Sequence, residues 1–330
     1  MNTYNGIINV YKEAGYTSFD VVAKLRGILK QKKIGHTGTL DPDATGVLPV
    51  VTGNATKLAD YLTDKKKEYI AAFILGIRTD TCDISGTVIS DSDMYVSDED
   101  IRRATVSYTG DIMQIPPMYS ALKVNGRKLC DLAREGREVE RKPRPVTIYE
   151  AEILHIGSLT DSAEIFGKYY GKYDRQIPGN ESSLAERTVV CMRVVCSKGT
   201  YIRTLCDDIG LKLGTGATLI RLKRTLSGVY GIDTAHTLSE IESMAASGDT
   251  DGLIIPTDTA FGEYPEVHLS DESLRLARNG NVLALEGSGI TGDNPGSEYI
   301  RVYDDKGVFF ALYERKASGQ GIYRPKTMFL

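Results

Sequence analysis

The stretch Lys33-Ile34-Gly35-His36-Thr37-Gly38-Thr39-Leu40-Asp41-Pro42-Asp43-Ala44-Thr45-Gly46-Val47-Leu48-Pro49 places four chain breakers, Gly35, Gly38, Pro42 and Gly46, around one acidic residue, Asp41. A plain surface turn needs one or two such residues. Glycine permits positive φ and Pro42 pushes Asp41 toward extended backbone, so the segment predicts a shaped loop that presents a carboxylate. The ordinary alternative is an Asp-Pro turn initiator; the surrounding Gly-His-Thr-Gly-Thr argues against it. Two other loop chemistries fail on spacing. Asp41-x-Asp43-x-Thr45-Gly46 imitates the start of a calcium loop, but the twelfth position, where a bidentate Glu belongs, is Thr52. A phosphate-binding glycine loop would require a following Gly-Lys-Ser/Thr, and none follows.

The 330 residues leave room for about two domains. Hydrophobic content of 41% with 25% charged residues is that of an ordinary globular chain. The longest apolar run, Tyr69 to Ile77, is far short of the ~20 residues that span a bilayer and suits a buried strand. The first ten residues lack the basic and apolar segments of a secretion signal. Five cysteines (82, 130, 191, 196 and 206) form no Cys-x-x-Cys pair, which predicts buried thiols in a reducing cytoplasm. With four histidines (36, 155, 236 and 268) they show no zinc-ligand spacing, so no metal is expected.

The net charge of −4 conceals a division. Residues 116–146 carry eight Lys/Arg against four Asp/Glu, and residues 198–224 carry six against two. Residues 231–330 carry eight against sixteen. Local positive fields govern phosphate binding more than the total does, so the first two thirds remain open to a nucleic-acid partner.

Strands are predicted at 6–12, 66–77, 88–89, 144–156, 188–197 and 219–228, and helices at 19–30, 55–62, 98–107, 127–134 and 200–213. The helix over 19–30 has Thr17 or Ser18 as its cap. Strands and helices alternate without a regular βαβ repeat, so the fold class is α/β (α+β), a mixed sheet packed by helices. Residues 158–187 interrupt two long strands with a polar stretch containing Tyr169, Tyr170 and Tyr173, and read as a mobile surface hairpin. A boundary falls near 250–264. Beyond it, short strands at 266–269, 282–285, 299–303 and 308–313, with a hairpin turn at Asp304–Gly307, make a small β-rich domain. The division expected is 1–255 and 256–330.

Four segments in register resemble one family. Gly35 through Gly46 is similar to the active-site motif of the bacterial tRNA pseudouridine-55 synthases, the TruB family. Lys67-Glu68-Tyr69 followed by Arg78 through Gly86 resembles its second motif. Gln114 through Gly126 resembles its third, and Ser197-Lys198-Gly199-Thr200-Tyr201-Ile202-Arg203 its fourth. The resemblance spans residues 6–228. The C-terminal region is more loosely similar to a PUA domain, an RNA-binding β-barrel. The fold implied is a mainly antiparallel sheet of pseudouridine-synthase type with that small barrel attached.

The resemblance implies isomerisation of a T-loop uridine of tRNA to its C-glycoside, without cofactor or metal, by a monomer with no protein partner and no membrane. Asp41 matches the catalytic aspartate, a nucleophile or base at the sugar, with Arg203 as its ionic partner and Tyr69 as the active-site tyrosine. Tyr201 and the apolar wall Leu222 match the uracil pocket. His36 matches a contact to extruded nucleotides, and Lys12 and Asp83 match supporting positions. Flipping is required because the glycosidic bond is inaccessible inside a folded RNA loop. Two other classes remain to be weighed: a tRNA-binding folding assistant, against which the Asp41, Tyr69 and Arg203 set argues, and a Ser/His/Asp hydrolase, for which no Gly-x-Ser-x-Gly elbow occurs.

Overall fold

The computed structural model describes residues 4–171, 184–248, 250, 252–285, 297–317 and 321–330. Its centre is a strand of residues 67–75, Lys67–Leu75, whose period-2 alternation feeds two cores at once. Tyr69, Ala71, Phe73 and Leu75 pack with Ile202, Leu205 and Ile209 of the helix Ile202–Lys212 on one face. Ile70, Ala72 and Ile74 face Phe166, Tyr170 and Ile220 on the other. A nine-stranded sheet extends from it on both sides. Seven of its strands run in the order Gly6–Lys12, Thr45–Thr52, Ala217–Ser227, Lys67–Leu75, Thr188–Cys196, Arg144–Ser158 and Gly110–Gln114. Every adjacent pair is antiparallel except one: Thr45–Thr52 meets Ala217–Ser227 in parallel through Thr45 and Arg224 and their neighbours. The mixed, mainly antiparallel sheet expected from the sequence is therefore present.

Local signals explain the helix beside the site. Thr17 caps Ser18–Ile28, its hydroxyl accepting from the Asp20 N–H at 3.1 Å while the Asp20 carboxylate accepts from the Thr17 N–H at 2.9 Å. Val21, Val22 and Leu25 then bury against Ile8, Val10, Leu48 and Val50.

Several elements differ from the sequence reading. Thr45–Thr52, expected within the shaped loop, is a wholly buried strand. Val47 and Val51 enter one core, Leu48 and Val50 another, so no polar face produces an alternation to read. Residues 127–134 divide into a hairpin, Lys123–Val124 paired with Arg127–Lys128 across Asn125 and Gly126 at positive φ, and a helix confined to Leu129–Arg134. The stretch read as a mobile surface hairpin contains the helix Ala163–Tyr169, whose Phe166 and the following Tyr170 are buried against the sheet with Arg221 over the Phe166 ring at 4.4 Å. Tyr173 lies outside the described residues. Three cysteines are buried, but Cys82 and Cys130 are only half-buried.

The C-terminal sheet runs in the order Glu266–His268, Tyr299–Tyr303, Phe309–Arg315, Ile322–Met328 and Leu283–Ala284. It has its own core of Val267, Ile300, Val302, Phe310 and Tyr313, and it also shares one with the large sheet. Phe261 is 1% exposed, with Tyr61 at 4.5 Å, Phe309 at 6.0 Å and Phe329 at 6.2 Å between ring centres. The same cluster takes in Val47 and Val51 of the strand that follows the Asp41 loop. Phe261→Ala is therefore expected to cost about 3–5 kcal/mol, the usual range for a buried Phe truncation. Urea unfolding with an unchanged slope checks this; a loss below ~1 kcal/mol would show that the two sheets do not depend on the shared cluster.

Candidate active site

Asp41 sits between Ile34–His36 and Thr45–Thr52, in a loop fastened from several directions. The Leu40 N–H donates to the Ser18 hydroxyl at 2.9 Å. The Pro42 carbonyl accepts from the Gly15 N–H at 2.9 Å and from Lys12 Nζ at 2.9 Å. Lys12 is wholly buried, and its ammonium also donates to the carbonyls of Tyr16 at 2.7 Å and Glu13 at 3.1 Å. All three ammonium donors thus end on backbone oxygens, and burial holds the group at about 8, against the pull of Asp43 and Asp41. Lys12 thus fastens the loop through the Pro42 carbonyl. At the far end of the loop Gly46 has φ +103°, and a Cβ there would lie 2.1 Å from the Arg224 carbonyl oxygen. Only glycine lets the parallel strand pair close at this point.

The structure brings Asp41 and Arg203 together across 162 positions of sequence. Arg203 Nε meets Asp41 Oδ2 at 2.8 Å, and Nη2 donates to Oδ1 at 3.2 Å, a two-pronged pair. Nη2 also donates to the Tyr119 carbonyl at 2.8 Å, and Nη1 to the Thr81 carbonyl at 2.9 Å and toward Asp83 Oδ2 at 3.3 Å. Two carboxylates and two backbone carbonyls thus surround the guanidinium. Arg203 is 5% exposed while 40% of the Asp41 side chain faces solvent, so the cation is the floor and the carboxylate the open surface. Asp83 is itself oriented, accepting from the Thr81 hydroxyl at 2.8 Å and the Ser85 N–H at 3.1 Å.

Burial pushes the Asp41 carboxyl above the ordinary carboxylate range; Arg203 opposes this, Asp83 adds to it and Lys12 opposes it. The low-polarity walls outweigh the salt bridge even though part of the side chain is open. Tyr69 stands on the sheet face that also carries Leu222, in register with Ala71 two residues on. Burial raises its phenol pKa, and the charge and hydrogen bond of Arg224 pull it back. Burial and Arg224 both lower the pKa of His36, so the imidazole is neutral at pH 7, and its Nδ1 is buried without a hydrogen-bond partner.

Arg203 lies in the first turn of the helix Ile202–Lys212, and Tyr201 stands at its N-cap with φ −97° and ψ 107°. Gln114 fixes that cap from both sides, accepting from the Tyr201 N–H at 2.8 Å and donating to its carbonyl at 3.1 Å. Sequence reading does not anticipate Gln114, Arg224 or the Thr81 and Tyr119 carbonyls. Gln114 does open the third of the four motif segments; the carbonyls leave no side-chain signal.

Comparison with known proteins identifies the family. Residues 26–166 match the TruB family pseudouridylate synthase N-terminal domain, and residues 203–262 match the tRNA pseudouridylate synthase B C-terminal domain. A tRNA pseudouridine synthase B of Lachnoclostridium phytofermentans is 45% identical over 99% of this chain and 100% of its own length. One of Clostridium kluyveri is 41% identical over 93% of this chain and 94% of its own. A crystal structure of a Cbf5-Nop10-Gar1 complex matches with a TM-score of 0.68 and 26% identity over 99% of this chain and 85% of that one. An H/ACA RNP bound to a substrate RNA containing 2′-deoxyuridine matches with a TM-score of 0.67 and 25% identity over 98% and 85%. With such identity along its whole length, the chain belongs to the TruB family of pseudouridylate synthases.

Proposed function

We propose that this protein converts uridine to pseudouridine in tRNA, at position 55 of the T loop, with Asp41 reacting at the sugar of a flipped-out nucleotide. The net change breaks the bond from N1 to C1′, forms one from C5 to C1′, and replaces the proton lost from C5 by one gained at N1, so product and substrate are isomers. No electrons are exchanged with another reactant, so side chains suffice for the balance. The observation that carries this reading is the two-pronged Asp41–Arg203 pair at 2.8 and 3.2 Å, with the carboxylate open and the guanidinium buried. The pair aims a carboxylate into a pocket whose wall, Tyr69 and Leu222, suits a planar base.

Each further residue has an assigned part. Tyr69 stacks on the base, and its hydroxyl helps to remove the carbon-5 proton. Asp83 holds Arg203 from the side opposite Asp41. Tyr201 and Leu222 bound the uracil pocket, and His36 contacts extruded nucleotides as a neutral donor or acceptor. Residues 1–255 form the catalytic unit, and 256–330 a PUA-like unit that holds the tRNA beyond its T stem-loop. The protein acts as a monomer in the cytoplasm.

Incubation with an unmodified tRNA transcript followed by pseudouridine mapping tests the proposal. Product at the T-loop uridine is expected; its absence there would defeat the reading. The acid side of the rate profile gives a second test. Asp41 must be ionised to react, and burial raises its pKa. On acidification the single-turnover rate should therefore fall as one proton binds, with a midpoint above the ~3.9 of a free aspartate. A midpoint at or below that value would mean that another group titrates.

A further inference from the structure

Arg224 is 1% exposed, one of the largest wholly buried side chains, and among the described residues no carboxylate forms an ion pair with it. A guanidinium removed from water without a counter-charge is costly, so its surroundings must supply the compensation. They do so from both ends of the Asp41 loop. Nε donates to the Val47 carbonyl at 2.7 Å and Nη2 to the Gly38 carbonyl at 3.2 Å. The Arg224 backbone meets Gly46 in the parallel register. On its other side, Arg224 is the antiparallel register partner of Tyr69, so the two side chains leave the sheet on the same face.

One planar fork therefore joins the loop that carries Asp41 to the strand that carries Tyr69. We infer that Arg224 is a positioning residue for the isomerisation, holding the Asp41 loop and the Tyr69 side chain in one rigid frame. This rests on the isomerase reading above. The Arg224 charge lies near enough to the phenol to pull its pKa down against the effect of burial. Its field also reaches Lys12 and Lys67, each held at about 8 chiefly by burial. It touches neither base nor sugar, and acts through Asp41 and Tyr69.

The test is a double-mutant cycle between Arg224→Lys and Tyr69→Phe, read by single-turnover rate and by tRNA Kd. Lys keeps a buried cation but loses the planar fork. Arg224→Lys alone is expected to lower the rate about 10²-fold, the scale of a ~1 Å misplacement, with Kd changed less than about threefold. In the Tyr69→Phe background the same substitution should cost at least tenfold less, because the phenol beside its charge is gone. A rate within about threefold of the parent, or an equal loss in both backgrounds, would overturn the inference. Arg224→Gln, which keeps donors without the charge, is the second variant; failure of both to fold would make Arg224 a structural element and overturn it equally. Product formation by the unaltered protein is the control for the underlying reading. If the parent forms no pseudouridine, that reading fails first, separately from the assignment of Arg224.

Discussion

Asp41→Asn is expected to lower the single-turnover rate by about 10⁴-fold or more, the scale on which loss of a reacting side chain acts, while tRNA Kd stays within about threefold. The substitution is nearly isosteric. An amide oxygen can still accept one N–H from Arg203, and the Thr81 and Tyr119 carbonyls at 2.9 and 2.8 Å and Asp83 at 3.3 Å remain to hold the guanidinium. The fold is thus preserved while the open carboxylate loses its charge and its nucleophilic oxygen. A carboxylate contributes nothing to phosphate binding, so affinity is not the property at stake. Release of tritium from carbon 5 of the uridine reads the chemistry directly, and filter binding reads affinity. Turnover within tenfold of the parent would place the reacting group at another residue. A large loss of affinity with normal chemistry at saturation would make Asp41 a binding residue instead.

The parts of the site that sequence shows well are those with a distinctive side chain in a distinctive backbone. Asp41 is legible because Gly38, Pro42 and Gly46 have no other reason to crowd around it, and the structure gives Gly38 and Gly46 φ of +122° and +103°. The central strand is legible because Tyr69 to Leu75 is apolar on both faces. The following strand, Thr45–Thr52, is equally buried but contains Gly46 and Pro49, and those residues read as loop when they are met without neighbours. Its pairing with Ala217–Ser227 depends on a strand some 170 positions away, which no local pattern can announce. The same limit applies to Tyr201, whose backbone at the helix start is held by Gln114 from another strand. Arg224 shows a different limit. Inside Arg221-Leu222-Lys223-Arg224 it looks like one more basic residue on a nucleic-acid face, and only the fold turns it inward to 1% exposure.

Arg203→Lys is expected to behave as a severe substitution. Five donors in a fixed plane currently serve two carboxylates and two backbone carbonyls. A lysine ammonium offers three donors and no fork, so at least two of these acceptors lose their partner in a site that is 5% exposed. The positive charge survives, which leaves the field at Asp41 largely in place and separates geometry from electrostatics. What disappears is the two-pronged hold on the carboxylate, and a displacement of about 1 Å at a reacting atom costs ~10²-fold in rate. The chemical step at saturating enzyme should therefore fall about 10²-fold or more, with Kd for tRNA changed by less than about threefold. Arg203→Ala should do worse in rate and also in stability, because it leaves two carboxylates and two backbone carbonyls without their common donor. The rival account makes Arg203 a phosphate contact. Lys would then substitute well, and Ala would raise Kd and flatten its salt dependence while leaving the saturated rate near normal. Its low exposure and its internal acceptors speak against that account, since a phosphate would have to displace a bond already made. Near-normal chemistry in the Lys variant would nevertheless defeat the orienting role.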